Sequence, residues 1–143
     1  MTDRLKSINN LSLFWLKGDK IKILYNLKTS ELLYDGLKYL DLMIKDSKSL
    51  NFEVLLEILK KSLDLVSNSK YENHISLGLQ ILIKILKNTL NKEEKSLKMK
   101  KIEAFCEILL VNRRIFKIKN DKKAKYSFNL KDLVSNLYKL LSK

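Results

Sequence analysis

The segment from Ser69 to Leu86, SKYENHISLGLQILIKIL, is apolar around almost the whole circumference of a helix. Its polar side chains form only a narrow line through Ser76, Gln80 and Lys84. A helix without a wide polar face is either a core helix or a membrane span. A span needs about 20 consecutive apolar residues. Because Gln80 and Lys84 interrupt this segment, we expect a central helix enclosed by other helices.

The start of this helix also has a sequence signal. Ser69 is followed three residues later by Glu72, which is the capping-box pattern. In that pattern the hydroxyl and the carboxylate satisfy free backbone amides at the helix start. We therefore predict a helix over Lys70 to Leu90 that begins with a Ser69–Glu72 capping box.

Composition restricts the fold class. The chain has 143 residues, of which 45% are apolar, with three Gly and no Pro. This length suits one domain with a substantial core, and the residues that favour tight turns are scarce. We predict a single all-helical domain over residues 1–143. One Cys cannot form a disulfide within the chain, and the sequence has no signal-peptide or membrane-spanning pattern, so we expect a reducing intracellular compartment.

Periodicity and capping residues predict seven helices. They cover residues 3–17, 19–27, about 30–44, 51–66, 70–90, 91–117 and the segment from 128 onwards. Besides the central helix, four of these helices have an apolar stripe that we expect to face the core. In the third, fourth, sixth and last helix respectively, the stripes are Leu33, Leu37, Leu40 and Ile44; Phe52, Leu55, Leu56, Leu59, Leu63 and Val66; Ile102, Phe105, Cys106 and Leu109; and Leu130, Leu133, Val134, Leu137 and Leu141.

Short links make successive helices antiparallel neighbours. We therefore expect a single bundle of about six or seven antiparallel helices around the central helix. A pair of these helices takes about 40 residues, which is within the repeat length of HEAT and armadillo proteins. A short helical-repeat stack is the alternative architecture, although the pairs share no repeated sequence.

Residues suited to catalysis are sparse. His74 is the only His and Cys106 the only Cys, and they lie on different predicted helices. We expect His74 to be a partly exposed structural residue in the first turn of the central helix and Cys106 to be a small buried side chain. No third residue completes a Cys–His nucleophile, and neither zinc-ligand spacing nor a phosphate-binding loop is present. We expect no enzyme activity, no catalytic residue, no metal and no cofactor.

The net charge of +13 favours an acidic partner, such as a microtubule surface, nucleic acid or an anionic membrane. Between Lys92 and Lys125 there are twelve basic and five acidic residues. The alternatives are biased codon composition and an ordinary solvated helix face with i, i+4 ion pairs. We expect an electrostatic binding site, called here the basic segment, made of Arg113, Arg114, Lys117, Lys119, Lys122 and Lys123.

A second candidate surface lies near the N-terminus. Four consecutive large apolar residues, Leu13 to Leu16, point in directions that cover about 300° around a helix. One buried face cannot hold all four, so either a later helix of this chain or a partner covers the remainder. Aromatic side chains such as Phe14 and Trp15 are enriched at the centres of protein interfaces.

Two motifs resemble the conserved C-terminal helical domain of the katanin regulatory (B) subunit. One is Ser69-Lys70-Tyr71-Glu72 with Gly78 and the Ile/Leu run that ends at Leu86. The other is Trp15-Leu16-Lys17-Gly18-Asp19, which is similar to the W-x-x-G-D at the first helix break of that domain. Looser matches extend the resemblance over residues 3–142. The link after the central helix is shorter than in the family, and lysines replace a Gly-rich loop before the last helix.

The resemblance implies a non-catalytic adaptor that regulates microtubule severing in the cytoplasm, on microtubules, the spindle or the centrosome. Its implied partners are the N-terminal domain of the catalytic AAA ATPase subunit, as a heterodimer, and the acidic surface of tubulin. We expect no membrane partner. The expected partner-binding residues are Leu13, Phe14, Trp15, Leu16 and Asp19. The rival classes are a basic nucleic-acid-binding module, for which no recognition-helix motif is evident, and a helical-repeat scaffold that binds a peptide.

Overall fold

The computed structural model describes residues 34–38, 52–90 and 97–142. Residues 34–38 are helical, and no strand occurs in any of the described ranges. The predicted all-helical class is confirmed. Five helices follow residues 34–38 along the chain: α1 (Phe52–Asn68), α2 (Glu72–Leu90), α3 (Leu97–Leu110), α4 (Arg113–Lys119) and α5 (Phe128–Leu141).

Helix α2 is the central helix of the described bundle, because it packs against both α1 and α5. Leu79, Leu82 and Leu86 of α2 have no exposed surface. The exposed residues Gln80 and Lys84 lie on the narrow polar line that the sequence predicts. The buried residues of α2 cover about half of its circumference, Leu77 and Ile83 are half-buried, and Lys87 is exposed beside the polar line. The helix is therefore central, as predicted, but it is not enclosed on its polar side.

Helices α1 and α2 approach each other closely at Gly78. A Cβ atom placed at this residue would lie 2.6 Å from Cγ2 of Val66 and 2.8 Å from the backbone oxygen of Ser62. Both distances are shorter than real carbon contacts. The hydroxyl of Ser62 is itself buried and donates to the Ile58 backbone oxygen at 2.7 Å, so it adds no unsatisfied group to this contact. Gly78 therefore sets the separation of the two helices.

The start of α2 differs from the predicted capping box. The Ser69 hydroxyl accepts a hydrogen bond from the Tyr71 amide at 3.2 Å, and the helix begins at Glu72. The Glu72 carboxylate accepts instead from the amide of Ser127, at 2.9 Å. Ser127 is the N-cap of α5. The capping-box prediction is wrong because Ser69 binds the Tyr71 amide rather than that of Glu72, and Glu72 binds the Ser127 amide rather than that of Ser69. Glu72 thus joins the starts of α2 and α5.

The predicted helix over residues 91–117 is interrupted at Asn112, within the part of it that the structure describes. The backbone of Asn112 is extended, and its side-chain oxygen accepts from the Ile115 amide at 3.0 Å. Asparagine favours such N-cap positions over helix interiors. The break turns the chain so that Ile115 and Ile118 of α4 are fully buried. One predicted helix is therefore two.

The core face of α1 is wider than the predicted stripe. Val54, Ile58 and Leu65 are buried although they lie outside that stripe, whereas the predicted core residues Phe52 and Leu63 are only half-buried. The reason is that α1 contacts α3 and α4 as well as α2. The predicted stripes of the last two segments hold in part. Ile102, Phe105 and Leu109, and Leu130, Val134 and Leu137 are buried, whereas Cys106, Leu133 and Leu141 are half-buried.

The third predicted helix is described only at residues 34–38, where Leu37 is fully buried as expected. The helices predicted over residues 3–17 and 19–27 lie outside the described residues.

Candidate binding surface

Five of the six cations of the basic segment are exposed to solvent. Arg113 and Lys117 lie on α4, Lys119 ends that helix, and Lys122 and Lys123 follow in the loop to α5. These five side chains are therefore exposed on α4 and on the loop that follows it. The field of such a cluster extends about 10 Å at 0.1 M salt.

The sixth cation, Arg114, is half-buried and has a structural role. Its guanidinium donates a hydrogen bond of 2.7 Å to the backbone oxygen of Ser69. Ser69 lies in the link between α1 and α2. Arg114 thus attaches the start of α4 to the α1–α2 link. We therefore exclude it from the residues that are available to a partner.

The loop that carries Lys122 and Lys123 is organised by Asp121. The Asp121 carboxylate accepts from the amides of Lys123 at 3.2 Å and Tyr126 at 2.9 Å, and it pairs with the Lys131 ammonium at 3.3 Å. The Tyr126 hydrogen bond is the main cause that lowers the pKa of Asp121 from its usual value. One ionised carboxylate therefore holds the turn that presents the loop lysines.

The end of α4 is attached to α5 through an aromatic ring. The Lys119 ammonium lies over the ring of Tyr138, 4.0 Å from its centroid, which is a cation–π distance. Tyr138 is half-buried, and its burial raises the pKa of its hydroxyl. The hydroxyl therefore stays protonated, and Lys119 is held at a defined place on the surface although it is exposed.

Exposed apolar side chains stand beside these cations, and the sequence reasoning missed them. Val111 is 81% exposed, Phe116 58% and Ile108 52%. Phe116 lies three residues after Arg113 and one before Lys117, so all three share the outer face of α4. The candidate surface is therefore cationic and apolar together.

A sequence signal for this apolar surface does exist. Ala104, Ile108 and Val111 are spaced i, i+4 and i+7, which is a second apolar stripe beside the buried stripe that contains Phe105. The second stripe continues past the end of α3 at Leu110. A segment with two apolar stripes needs two contacting surfaces, and that argument could have identified these residues.

The other predicted site, Leu13, Phe14, Trp15, Leu16 and Asp19, lies outside the described residues.

His74 and Cys106 have environments that differ in part from those predicted. His74 lies in the first turn of α2 as expected, but it is buried rather than partly exposed. Its ring stacks on Tyr34 at 4.1 Å and is tilted against Tyr71 at 5.0 Å, both between centroids. Cys106 is half-buried against the core. Burial and, second, the Glu103 carboxylate raise the pKa of its thiol.

Among the residues that the structure describes, no group of three or more His, Cys, Asp or Glu side chains could hold a metal ion. Nor is any helix of that part of the chain long and apolar enough to cross a membrane. Comparison of the chain with protein-family models, with characterised proteins and with solved structures finds no match.

Proposed function

We propose that this chain is a non-catalytic adaptor domain, of the kind found in the katanin regulatory subunit, that binds the acidic surface of microtubules. The basic segment, without Arg114, is the proposed contact with tubulin. The region of Leu13, Phe14, Trp15, Leu16 and Asp19 is the proposed contact with the N-terminal domain of the catalytic AAA ATPase. Through these two contacts the domain regulates severing.

The observation that carries the proposal is the exposure of the cations on α4 and its following loop. Within the described residues, none of the side chains of Arg113, Lys117, Lys122 and Lys123 forms an ion pair. Positive charge concentrated on one surface attracts an acidic partner and speeds its association. The acidic tails of tubulin, which the katanin resemblance implies as the partner, have the required charge.

The apolar side chains among the cations favour a protein partner over duplex nucleic acid. Phe116 is exposed on α4 between Arg113 and Lys117, and Val111 is exposed two residues before Arg113. Aromatic and apolar side chains at the centre of a protein interface supply much of its binding energy. The phosphate backbone of a duplex offers them no apolar contact.

Co-sedimentation with microtubules tests the proposal. The variant reverses charge at three exposed positions, Arg113→Glu, Lys117→Glu and Lys122→Glu, and leaves Arg114 in place to preserve its hydrogen bond to the α1–α2 link. We expect it to bind far less microtubule at low salt. Removing the acidic tails of tubulin should weaken the wild-type protein in the same way, and rising salt should weaken it progressively.

The matched control reverses three other exposed lysines, with Lys38→Glu, Lys60→Glu and Lys87→Glu. An equal loss of binding in this control means that net charge alone attracts the chain, and the proposed surface is then wrong. Tighter binding to duplex DNA or RNA than to microtubules, measured by gel shift at the same salt, overturns the microtubule assignment in favour of a nucleic-acid-binding module.

The ATPase contact needs its own experiment. Leu13→Asp and Leu16→Asp should each abolish capture of the catalytic subunit's N-terminal domain in a pull-down while helical content by circular dichroism is unchanged. A buried unpaired carboxylate disfavours an interface by several kcal/mol. Unfolding of both variants means that these residues belong to the core, and unchanged capture by both means that they contact nothing in the complex.

A further inference from the structure

A cleft of about 460 Å³ lies between the end of α4 and the outer face of α5. Its size is within the range of small-molecule and side-chain pockets, roughly 300 to 1,000 Å³. The residues that line it are Lys119, Lys131, Ser135, Tyr138, Lys139 and Ser142. Three lysines and three residues with hydroxyl groups thus line one open space, and no acidic residue is among the lining residues.

Two of the three lysines in this cleft have no counter-charge. The Lys131 ammonium pairs with Asp121. Within the described residues, neither Lys119 nor Lys139 forms an ion pair, and the ammonium of Lys119 is held over the Tyr138 ring at 4.0 Å from its centroid. Cations gathered in one cleft repel each other until an anion enters it.

The hydrogen-bond donors of the cleft complement these charges. The Ser142 hydroxyl already donates to the backbone oxygen of Tyr138 at 2.7 Å. Ser135 is exposed in the described structure and can donate to a ligand. Two unpaired ammonium groups and one hydroxyl match a ligand with two negative charges and at least three acceptor oxygens.

We propose that this cleft binds a phosphate monoester. Such a group carries close to two negative charges at neutral pH and three acceptor oxygens, whereas a carboxylate has one charge and two oxygens. Lysine binds phosphate well as a point charge. The cleft volume leaves room for the group that carries the phosphate, which is either a phosphorylated side chain of a partner protein or a free small molecule.

The site shares a single residue with the proposed microtubule contact. Of its lining residues only Lys119 belongs to the basic segment. A protein that fails to bind microtubules can therefore still bind phosphate, and the reverse also holds.

Titration of the ¹⁵N-labelled chain with inorganic phosphate at constant ionic strength tests this proposal. We expect saturable changes of the amide NMR signals of Lys119, Ser135, Tyr138 and Lys139. The double variant Lys119→Gln with Lys139→Gln should raise the Kd about tenfold, equivalent to about 1.4 kcal/mol. Because loss of the cation–π contact can disturb the fold, Ser135→Ala is a second variant, and we expect it to weaken binding by a smaller factor.

The matched control is Lys122→Gln with Lys123→Gln, which removes the same charge from the adjacent loop but not from the cleft. An equal rise in Kd for this control, or changes that do not saturate and spread over many lysines, means adventitious anion binding only and overturns the site. If a peptide whose only charges are two adjacent glutamates binds with the same affinity as inorganic phosphate, the preference for phosphate is wrong. A peptide whose only charged group is one phosphoserine separates the two sources of the ligand. Tighter binding of this peptide than of inorganic phosphate identifies a phosphorylated partner protein. Weaker binding of the peptide identifies a free small molecule.

Discussion

Single residues decide much of the geometry of this domain. Gly78 lets α1 and α2 meet, Asp121 gathers the amides of the loop after α4, and Arg114 attaches α4 to the α1–α2 link. Gly78 and Arg114 act through backbone groups of another segment, and Asp121 acts through the amides of its own loop. Changes at these positions should therefore affect the packing of elements rather than local helix content.

Gly78→Ala is expected to destabilise the fold by about 1–3 kcal/mol, because the added methyl group overlaps Val66 and the Ser62 backbone oxygen. Urea denaturation measures the difference. Gln80→Ala on the exposed side of the same helix is the control and should change stability by less than about 0.5 kcal/mol. If the two variants have similar free energies of unfolding, the close approach of α1 and α2 at Gly78 is contradicted.

The hydrogen bonds to Asp121 should make stability depend on pH in the acid range. The pKa of this carboxyl is lower in the folded chain than its usual value of 3.8. Its contribution is therefore complete above the unfolded value and is lost as the pH falls through the folded value. Urea denaturation at pH 6 and at successively lower pH should show this loss in the wild type and a smaller one in Asp121→Asn. Equal pH dependence of the two proteins refutes the assignment.

At the scale of elements, the helices whose apolar residues repeat clearly are the ones that sequence reasoning predicts well. The buried aliphatic residues of α2 follow from spacing alone, as do Leu130, Val134 and Leu137 of α5. The break between α3 and α4 does not follow from spacing, because Asn112 could equally lie on the exposed face of a continuous helix. The Ser67 hydroxyl that its side chain contacts lies 45 residues earlier in the chain. The burial of His74 likewise depends on Tyr34, which belongs to another helix.

Asn112→Ala tests the break between α3 and α4. Loss of the N-cap hydrogen bond to the Ile115 amide should destabilise the domain by about 1 kcal/mol, and up to about 2. Thermal denaturation provides the measurement. Asn136→Ala, an exposed position inside α5, is the control and should be neutral or stabilising by a few tenths of a kcal/mol, since alanine favours helix interiors. A neutral Asn112→Ala means that the cap is dispensable.

At the scale of the whole molecule, the domain has one well-packed centre and one less enclosed side. The centre is formed by α2, which packs more extensively against α1 and α5 than any other pair of helices does, with full burial of Leu59, Leu82 and Val134. Helix α3 contacts its neighbours less and exposes Ile108. The exposed cations of the basic segment lie on α4 and the loop after it, and their exposure could not be read from charge alone.

Leu82→Ala should destabilise the molecule by about 2–5 kcal/mol, because it leaves a cavity in a fully buried part of the central helix. Leu110→Ala, at a position that is 43% exposed, is expected to have a much smaller effect. Chemical denaturation of both variants compares them directly. Equal losses contradict the distinction between centre and edge.

The two bonds from the start of α4 to the α1–α2 link have a consequence for the order of folding. Asn112 binds Ser67 and Arg114 binds Ser69, each across 45 residues. Because these acceptors lie at the end of α1 and in the link to α2, we expect α4 to dock after α1 and α2 have packed and to detach before they separate. Amide hydrogen exchange should therefore protect α1 and α2 longer than α4, and the cationic surface can open locally while the centre of the molecule stays folded.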